Sequence, residues 1–269
     1  MKLHILQSTI AIGVLLYLPS NIAFANTNSK LSSAAAQPAD VKVQGNTIYY
    51  LGNFSLESTK VFTAATAKVK PGQLTTLVIS SVGGDTDEAR TIGTWVHDHA
   101  LVIEVDEICF SSCANYIFPA GSARVIYKDA FVGWHGNERG MDIEAAQRGA
   151  NVRSEYKKLL PKQILEEQPG LVEGYVDQMI ESAKLSQRKE GAYFSMLGLK
   201  DTFSVCGVGD VAVEKYPQLK DKKGWGFSIK DMELLGIKQI TYRGEGVYEK
   251  DSANFTKYVA LGDSFAAGY

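Results

Sequence analysis

Three short segments carry the groups that acyl-transfer chemistry needs, and each follows an apolar segment that predicts a β-strand. Gly83-Gly84 follow the first of these strands, Ser112 follows the second, and His135 follows the third. Acyl transfer requires a nucleophile, a base within hydrogen-bond reach of it, and N–H donors for the oxyanion. In this interpretation Ser112 is the nucleophile and His135 the general base. The backbone N–H groups of Gly84 and Cys113 are the donors, since glycine lets the main chain approach a substrate closely.

Ser112 lies in a segment, residues 109–121, whose small residues predict a sharp turn from a strand into a short buried helix. A serine at such a turn has an exposed hydroxyl, with the helix N-terminus behind it to stabilise negative charge. Each feature also has an ordinary interpretation: a glycine pair forms turns, a serine caps helices, and a lone histidine belongs to the core or the surface. Their common position after neighbouring strands favours a site, because ligands bind at the carboxyl ends of parallel strands.

The elements that must position these residues alternate between strand and helix in the first half of the chain. A β-rich, apolar composition or an i, i+3, i+4 pattern identifies each element. The order predicts an α/β core. The predicted strands are 47–51, 74–79, 101–105, 123–127 and 130–134, the last two joined as a hairpin by Lys128-Asp129, and the predicted helices are 54–68, with Ser55 or Ser58 as its cap, and the segment that carries Ala89, Ile92, Trp95 and Val96.

The C-terminal half is predicted to be mainly helical. Residues 141–199 contain few β-branched runs, and prolines divide them into about three helices. Residues 202–205 predict a weak strand. A helix at 229–235, capped by Ser228 and ended by Gly236, precedes a last strand at 237–242.

Composition places the chain among globular proteins. Of 269 residues, 45% are hydrophobic and 22% are charged, which excludes a disordered chain. Its 28 basic and 30 acidic residues give a net charge of −2 and are dispersed along the chain. No nucleic-acid partner is therefore expected.

The N-terminus predicts a signal peptide at residues 1–25. Lys2 and His4 precede an apolar run, and Ala23-Phe24-Ala25 fits a cleavage site. An uncleaved anchor is the alternative, but the run is shorter than the roughly 20 residues that a membrane span needs. We expect a periplasmic or secreted protein with no stable membrane span after cleavage, a flexible leader at 26–40, a domain at 41–250 and a C-terminal tail at 251–269.

Three cysteines raise the question of a disulfide. Cys109 and Cys113 flank the central serine, and Cys206 lies far along the chain. An oxidising compartment would allow two of them to pair, and the sequence leaves open which two, or whether all three are buried thiols.

His97 and His99 form the one cluster that suggests a metal ion. Two residues apart on a helix, they point in different directions, and a solvated helix C-terminus explains them better. We predict no metal site and no cofactor.

The segments around Gly83-Gly84, Ser112, Ala120-Gly121 and His135 resemble the Clp protease proteolytic subunit and its exported relatives, in the ClpP/crotonase superfamily. The likeness covers about residues 45–140. In that family the nucleophilic serine lies nine residues before the glycine of an Ala-Gly pair, which selects Ser112 over Ser111.

The resemblance implies a fold of stacked ββα units, a Ser112–His135 pair, and an oxyanion hole from Gly84 and Cys113. It also implies an acidic third member, for which Glu190 is the first choice and Asp177 and Glu181 are alternatives. Related exported signal-peptide peptidases use a Ser–Lys dyad, which makes Lys128 a second candidate base. Family members commonly form rings or trimers, so a homo-oligomer is expected.

The leading functional hypothesis is an exported serine peptidase-like hydrolase that acts on a peptide or an unfolded protein segment. A catalytically inactive binding or assembly module on the same fold is the alternative. Acyl-CoA chemistry, as in crotonases, ranks last, because an exported protein would not meet CoA. No G-x-x-x-x-G-K-[ST] loop is present in the sequence, so any ATP-driven unfoldase would be a separate chain.

Overall fold

The computed structural model describes residues 34–70 and 72–262, and its centre is a seven-stranded sheet. The described strands are β1 (Asp40–Gln44), β2 (Thr47–Leu51), β3 (Thr76–Ser81), β4 (Val102–Phe110), β5 (Ala123–Ile126), β6 (Phe131–Gly133), β7 (Gly224–Gly226), β8 (Ile240–Tyr242) and β9 (Val259–Leu261). The sheet follows the order β1-β2-β3-β4-β5-β8, and β6 also pairs with β4. Only β1 and β2 pair antiparallel within it. A separate pair, β7 with β9, forms a small parallel sheet.

Helices connect these strands and make up most of the C-terminal half. The described helices are α1 (Leu56–Thr66), α2 (Thr86–Asp98), α3 (Gly140–Gln147), α4 (Val152–Lys158), α5 (Lys162–Glu167), α6 (Val172–Met196), α7 (Asp210–Lys215), α8 (Ile229–Leu234), α9 (Tyr248–Asp251) and α10 (Ala253–Tyr258). A π-helical turn at Cys113–Ile117 continues into a 3-10 turn at Phe118–Ala120, and further 3-10 turns lie at Pro169–Leu171, Asp201–Ser204 and Pro217–Asp221. The predicted α/β class with a helical C-terminal half is confirmed.

Side-chain caps begin α1, α2 and α8, and those of α1 and α8 lie at predicted positions. Ser55 accepts a hydrogen bond from the Ser58 N–H at the start of α1, which decides between the two predicted caps. Asp85 caps α2 in the same way, directly after the glycine pair. Ser228 caps α8, and Gly236 follows it with φ at +98°. Each cap satisfies an N–H group that the first helical turn leaves without an intrahelical partner.

β4 is the longest of the described strands and runs five residues beyond the predicted end at Val105. Ile108, Cys109 and Phe110 are buried and pair with β6, while Cys109 also lies opposite Ser81 of β3. The strand therefore carries the chain directly to Ser111.

The predicted hairpin between residues 123–127 and 130–134 is wrong. β5 pairs with the first half of β4 and β6 with its second half, and both run parallel to it. The turn at Lys128-Asp129, with φ of Asp129 at +63°, shifts the chain along β4 instead of reversing it. The predicted weak strand at 202–205 is also wrong, since Asp201–Ser204 forms a 3-10 turn.

The folded domain extends beyond both predicted boundaries. Ala34 and Ala39 are buried, and the Asn53 N–H donates to the Ala36 carbonyl. At the other end, Ser252 donates to the Ala130 carbonyl beside β6, and β9 completes the small sheet. The predicted signal peptide lies outside the described residues.

A main core packs around the large sheet, and a smaller hydrophobic cluster lies under α4 and α6. Tyr156, Val172, Val176 and Ala183 form this second cluster. In the described ranges, no helix combines the length and the apolar character that crossing a bilayer requires.

Candidate active site

Ser111 forms the turn between β4 and the π-helical turn. Its φ is +57°, in the left-handed region that residues other than glycine rarely adopt. Its N–H donates to the Gly133 carbonyl over 3.0 Å, and its carbonyl accepts from the Asn115 N–H over 2.9 Å. When a serine adopts this conformation between a strand and a helix, its hydroxyl points away from both elements, as in the strand-to-helix turns that carry nucleophilic serines.

The structure places Ser111, and not Ser112, against His135. Ser111 Oγ lies 2.7 Å from His135 Nε2. Ser112 is 3% exposed, and its hydroxyl donates to the Gly84 carbonyl over 2.7 Å. The predicted Ser112–His135 pair therefore does not form. The left-handed residue is Ser111, one position before the predicted nucleophile, and the Ser112 side chain points instead toward the loop at Gly83-Gly84.

His135 is held by the strand that precedes it. Trp134 exchanges two backbone hydrogen bonds of 2.8 Å with Trp225 of β7, which fixes the chain directly before His135. The imidazole stacks on the Phe110 ring with centroids 5.2 Å apart. Burial lowers the His135 pKa to about 4, partly offset by a hydrogen bond with its own backbone. At neutral pH the ring is uncharged and Nε2 can accept a proton.

Glycine is required beside this serine. A Cβ on Gly83 would lie 2.6 Å from Ser111 Cβ, and one on Gly84 would lie 2.3 Å from the Phe54 carbonyl oxygen. Both residues have φ above +100°. The loop that contains Gly83 and Gly84 therefore lies in direct contact with the turn at Ser111.

Two backbone N–H groups near Ser111 are candidates for an oxyanion hole. Neither the Gly84 nor the Ser112 N–H donates to any acceptor in the part of the chain that the structure describes. Gly84 was predicted for this role. With Ser111 as the nucleophile, the residue that follows it is Ser112, so the Ser112 N–H takes the place that the sequence assigns to Cys113.

Glu190 does not contact His135. It is 1% exposed and accepts a hydrogen bond of 2.7 Å from the Tyr116 hydroxyl. Burial raises its pKa to about 8, with Tyr116 and Arg90 lowering it and Glu138 raising it. The alternatives Asp177 and Glu181 pair with surface cations. Among the described residues, no carboxylate contacts the His135 ring.

Lys128 is exposed in the turn after β5, with no contact to either serine within the described residues. This position is that of a solvated surface lysine, and it gives no support for a Ser–Lys dyad.

A polar cluster that is largely buried apart from the exposed Asp87, and which we call the Arg90 cluster, links the loops of the site. Its members are Asp87, Arg90, Tyr116, Glu138, Ser186 and Glu190. The Arg90 guanidinium donates to Asp87, Ser186 and the Tyr116 hydroxyl, and it lies 3.8 Å from Glu138. Thr86, two residues after Gly84, donates to Glu138 over 2.5 Å. Glu138 follows His135 by three residues, so the cluster ties the loop at Gly83-Gly84 to the loop that follows His135.

Cys109 and Cys113 form a disulfide across the turn at Ser111, and Cys206 is a buried free thiol. The pairing that the sequence left open is thereby assigned. His97 and His99 are both exposed at the end of α2, and His99 stacks on Trp95. Across residues 34–70 and 72–262, no three His, Cys, Asp or Glu side chains are grouped as a metal site requires.

A cleft of about 280 Å³ opens beside His135 and is the space in which a substrate could lie. Residues 207–210 and Gly224 line it, Val213 and Leu219 contribute apolar surface, and Glu144 and Lys222 contribute charge. Apart from His135, its lining residues lie between 144 and 225. The sequence predicted three candidate acids in that part of the chain, Asp177, Glu181 and Glu190, and none of them lines the cleft.

No family model matches the sequence, and no curated protein matches it. Solved structures with a similar chain path include an enoyl-CoA hydratase/isomerase from Marinobacter aquaeolei, at 12% identity and a TM-score of 0.31, over 70% of this chain and 93% of that one. A methylmalonyl CoA decarboxylase complexed with 2S-carboxypropyl CoA is similar at 9% identity and a TM-score of 0.32, over 59% and 83%. An enoyl-CoA hydratase from Bacillus anthracis is similar at 10% identity and a TM-score of 0.31, over 58% and 90%.

Proposed function

We propose that this protein is a serine hydrolase of the peptidase type, with Ser111 as nucleophile and His135 as general base. The observation that carries the proposal is the 2.7 Å contact between Ser111 Oγ and His135 Nε2. The left-handed turn at Ser111 and the uncharged imidazole support it. The Gly84 and Ser112 N–H groups complete the set as donors to the oxyanion.

In the proposed reaction the Ser111 hydroxyl donates to His135 Nε2 and transfers its proton as Oγ attacks the substrate carbonyl carbon. The oxygen of the tetrahedral intermediate accepts hydrogen bonds from the Gly84 and Ser112 N–H groups. His135 then gives the proton to the leaving amine or alcohol, and a water molecule repeats the sequence to release the acid and restore Ser111.

We propose a peptide or an unfolded protein segment as substrate, and a periplasmic or secreted location. The cleft beside His135 supports a peptide substrate, since its lining combines apolar side chains with the charged side chains of Glu144, Asp210 and Lys222. The Cys109–Cys113 disulfide supports an oxidising compartment.

A fluorophosphonate probe tests the proposal. The folded wild-type protein should be labelled, Ser111→Ala should abolish the labelling, and mass spectrometry should find the adduct on the peptide that carries Ser111. Ser112→Ala is the matched control, because it removes an adjacent hydroxyl that donates to Gly84 and not to His135; it should leave an adduct on Ser111. An adduct on Ser112 would overturn the assignment.

A non-catalytic binding module is the second candidate. It is favoured by the lack, among the described residues, of a carboxylate against the His135 ring, since an orienting acid contributes orders of magnitude to such catalysis. A folded wild-type protein that no fluorophosphonate labels, with Ser111 unmodified, would support this candidate over the hydrolase.

A further inference from the structure

The Cys109–Cys113 disulfide joins the two elements between which Ser111 turns. Cys109 belongs to β4, and Cys113 is the first residue of the π-helical turn. Their Cα atoms lie 5.1 Å apart, with Ser111 midway between them in sequence. The covalent bond therefore sets the distance between the end of the strand and the start of the helix.

The left-handed conformation of Ser111 needs such support. An L residue at φ +57° is less stable than in the right-handed or extended regions, and it persists only where its surroundings fix it. The hydrogen bonds from Ser111 to Gly133 and from Asn115 to Ser111 form only once the chain has turned. Among the described residues, the disulfide is the one covalent cross-link that spans this turn.

We propose that the Cys109–Cys113 disulfide is a positioning device that holds Ser111 in contact with His135, so that the chain with both thiols reduced lacks the assembled dyad. The inference rests on the proposed function for its catalytic consequence. Its structural content, the conformation of Ser111, is independent of any activity.

The disulfide would form during folding and persist afterwards. Both cysteines are fully buried in the folded protein, so an external thiol does not reach either sulfur. Forming the bond removes two protons and two electrons from the two thiols. A disulfide of the thiol–disulfide oxidoreductase class accepts them and becomes a dithiol. The site would thus assemble once, in an oxidising compartment, and stay unassembled in a reducing one.

Paired variants test the inference. Cys109→Ala/Cys113→Ala removes the bridge, and Cys206→Ala is the control that removes a buried thiol and keeps the bridge. Two measurements are made on each: the rate of fluorophosphonate labelling, and the NMR chemical shifts of Ser111, which report its backbone conformation. We expect labelling of the double variant to fall about 100-fold, as for a nucleophile misplaced by about 1 Å, and the Ser111 shifts to leave the left-handed range. Cys206→Ala should retain both properties.

The labelling rates and the Ser111 chemical shifts together support or overturn the inference. Equal labelling and unchanged Ser111 shifts in the double variant would overturn the inference. Absence of labelling in both the folded wild type and Cys206→Ala would refute the proposed function, while the Ser111 shifts would still test the positioning role. Should the double variant fail to fold, Cys109→Val/Cys113→Ala restores a strand-forming side chain in β4. If this variant also fails to fold, the bridge serves stability alone and the inference is rejected.

Discussion

The packing of His135 determines the protonation state in which the proposed Ser111–His135 dyad would work. One face of the imidazole lies on Phe110, and burial holds its pKa at about 4, below the ordinary 6.5. A base with this pKa is uncharged across the neutral range but accepts protons weakly. Its weakness is consistent with the missing carboxylate partner among the described residues, and the pH dependence of the reaction should show it.

We predict that the rate of fluorophosphonate labelling stays constant from pH 8 down to about pH 5 and falls to half near pH 4. A histidine with an ordinary pKa would instead lose half of the rate near pH 6.5. The measurement is the labelling rate at each pH from 3.5 to 8. A midpoint near 6.5 would contradict the burial of the ring.

The lowered pKa of His135 also makes the stability of the fold depend on pH. Stability must therefore be measured alongside the labelling rate as a control. Because the folded pKa of His135 lies below the unfolded value, the unfolded chain binds the proton more tightly. Stability is therefore complete above pH 6.5 and declines as the pH falls through about 4. Circular dichroism at each pH separates this loss from a change in rate.

A second prediction concerns Gly83, where an added side chain would point at Ser111. In Gly83→Ala the new methyl group would lie 2.6 Å from Ser111 Cβ and 2.9 Å from the Phe110 carbonyl oxygen, at a φ of +105°. We expect the free energy of unfolding to fall by about 2–4 kcal/mol and labelling of the folded protein to be lost. Urea denaturation and the labelling rate are the measurements.

Gly174→Ala is the matched control for that substitution. Gly174 lies in α6 with no atom within 4 Å of the added methyl group, and its backbone is helical. Alanine is the better helix former by about 1 kcal/mol, so stability should rise slightly and labelling should be unchanged. A loss equal to that of Gly83→Ala would show that the contact with Ser111 is not the cause.

Residue types and spacing locate the candidate site in this sequence but do not select the serine that faces His135. They place the serine pair, the glycine pair and His135 at neighbouring strand ends, as the structure has them. They do not determine which serine adopts a positive φ. That depends on where β4 ends, and its pairing with β6 extends it to Phe110.

At the scale of elements, the Arg90 cluster connects the loops that carry the site. Its side chains come from α2, the π-helical turn, the loop that follows His135, and α6. The Tyr193 hydroxyl, also from α6, donates to the Tyr116 carbonyl. A long helix in the C-terminal half thus positions segments from the first half through buried polar contacts, which stabilise only when their partners are all present.

Glu190→Gln distinguishes a positioning carboxyl from a third catalytic acid. Replacing a triad acid by its amide lowers kcat by about 10⁴-fold. With its pKa at about 8, Glu190 is uncharged at neutral pH, and an amide keeps the bond from Tyr116. We expect labelling of Glu190→Gln at pH 7 to stay within about threefold of the wild type, since one neutral hydrogen bond replaces another. A 10⁴-fold loss would restore Glu190 as a catalytic acid.

The same variant should change the pH dependence of stability. The folded pKa of Glu190 exceeds its ordinary 4.5, so its contribution is complete below pH 4.5 and is lost as the pH rises through about 8. Glu190→Gln removes this loss. The difference in Tm between variant and wild type should therefore increase from pH 5 to pH 9, and a difference that is constant with pH would contradict the shift.

Connections between elements were harder to predict than the elements themselves. Residues 123–126 and 131–133 form strands as their β-branched and apolar composition indicates. Whether two short strands pair with each other or with a third depends on the partner, and here both pair with β4. Arg90 and Tyr116 gave no signal either, because their roles arise from contacts 26 to 96 residues apart in sequence.

At the scale of the whole molecule, the two halves of the chain contribute different parts of the candidate site. The first half carries the serine, the histidine and the glycine pair on the ends of β3, β4 and β6. The C-terminal half covers this edge, and its segments 207–213 and 219–225 line the cleft beside His135. We infer that the first half determines the reaction and the second half determines which substrates reach it.

Substitutions in α7 separate these two roles. Val213 lines the cleft, so Val213→Trp should occlude it and lower the kcat/KM for an extended peptide about 100-fold or more, because substrate positioning is lost. Labelling by a small fluorophosphonate, which needs only Ser111 and His135, should change less than about tenfold. Val211, on the same helix, is 56% exposed and outside the cleft lining, so Val211→Trp should leave both rates unchanged. Equal losses of peptide hydrolysis in the two variants would show that substrates reach Ser111 by another path.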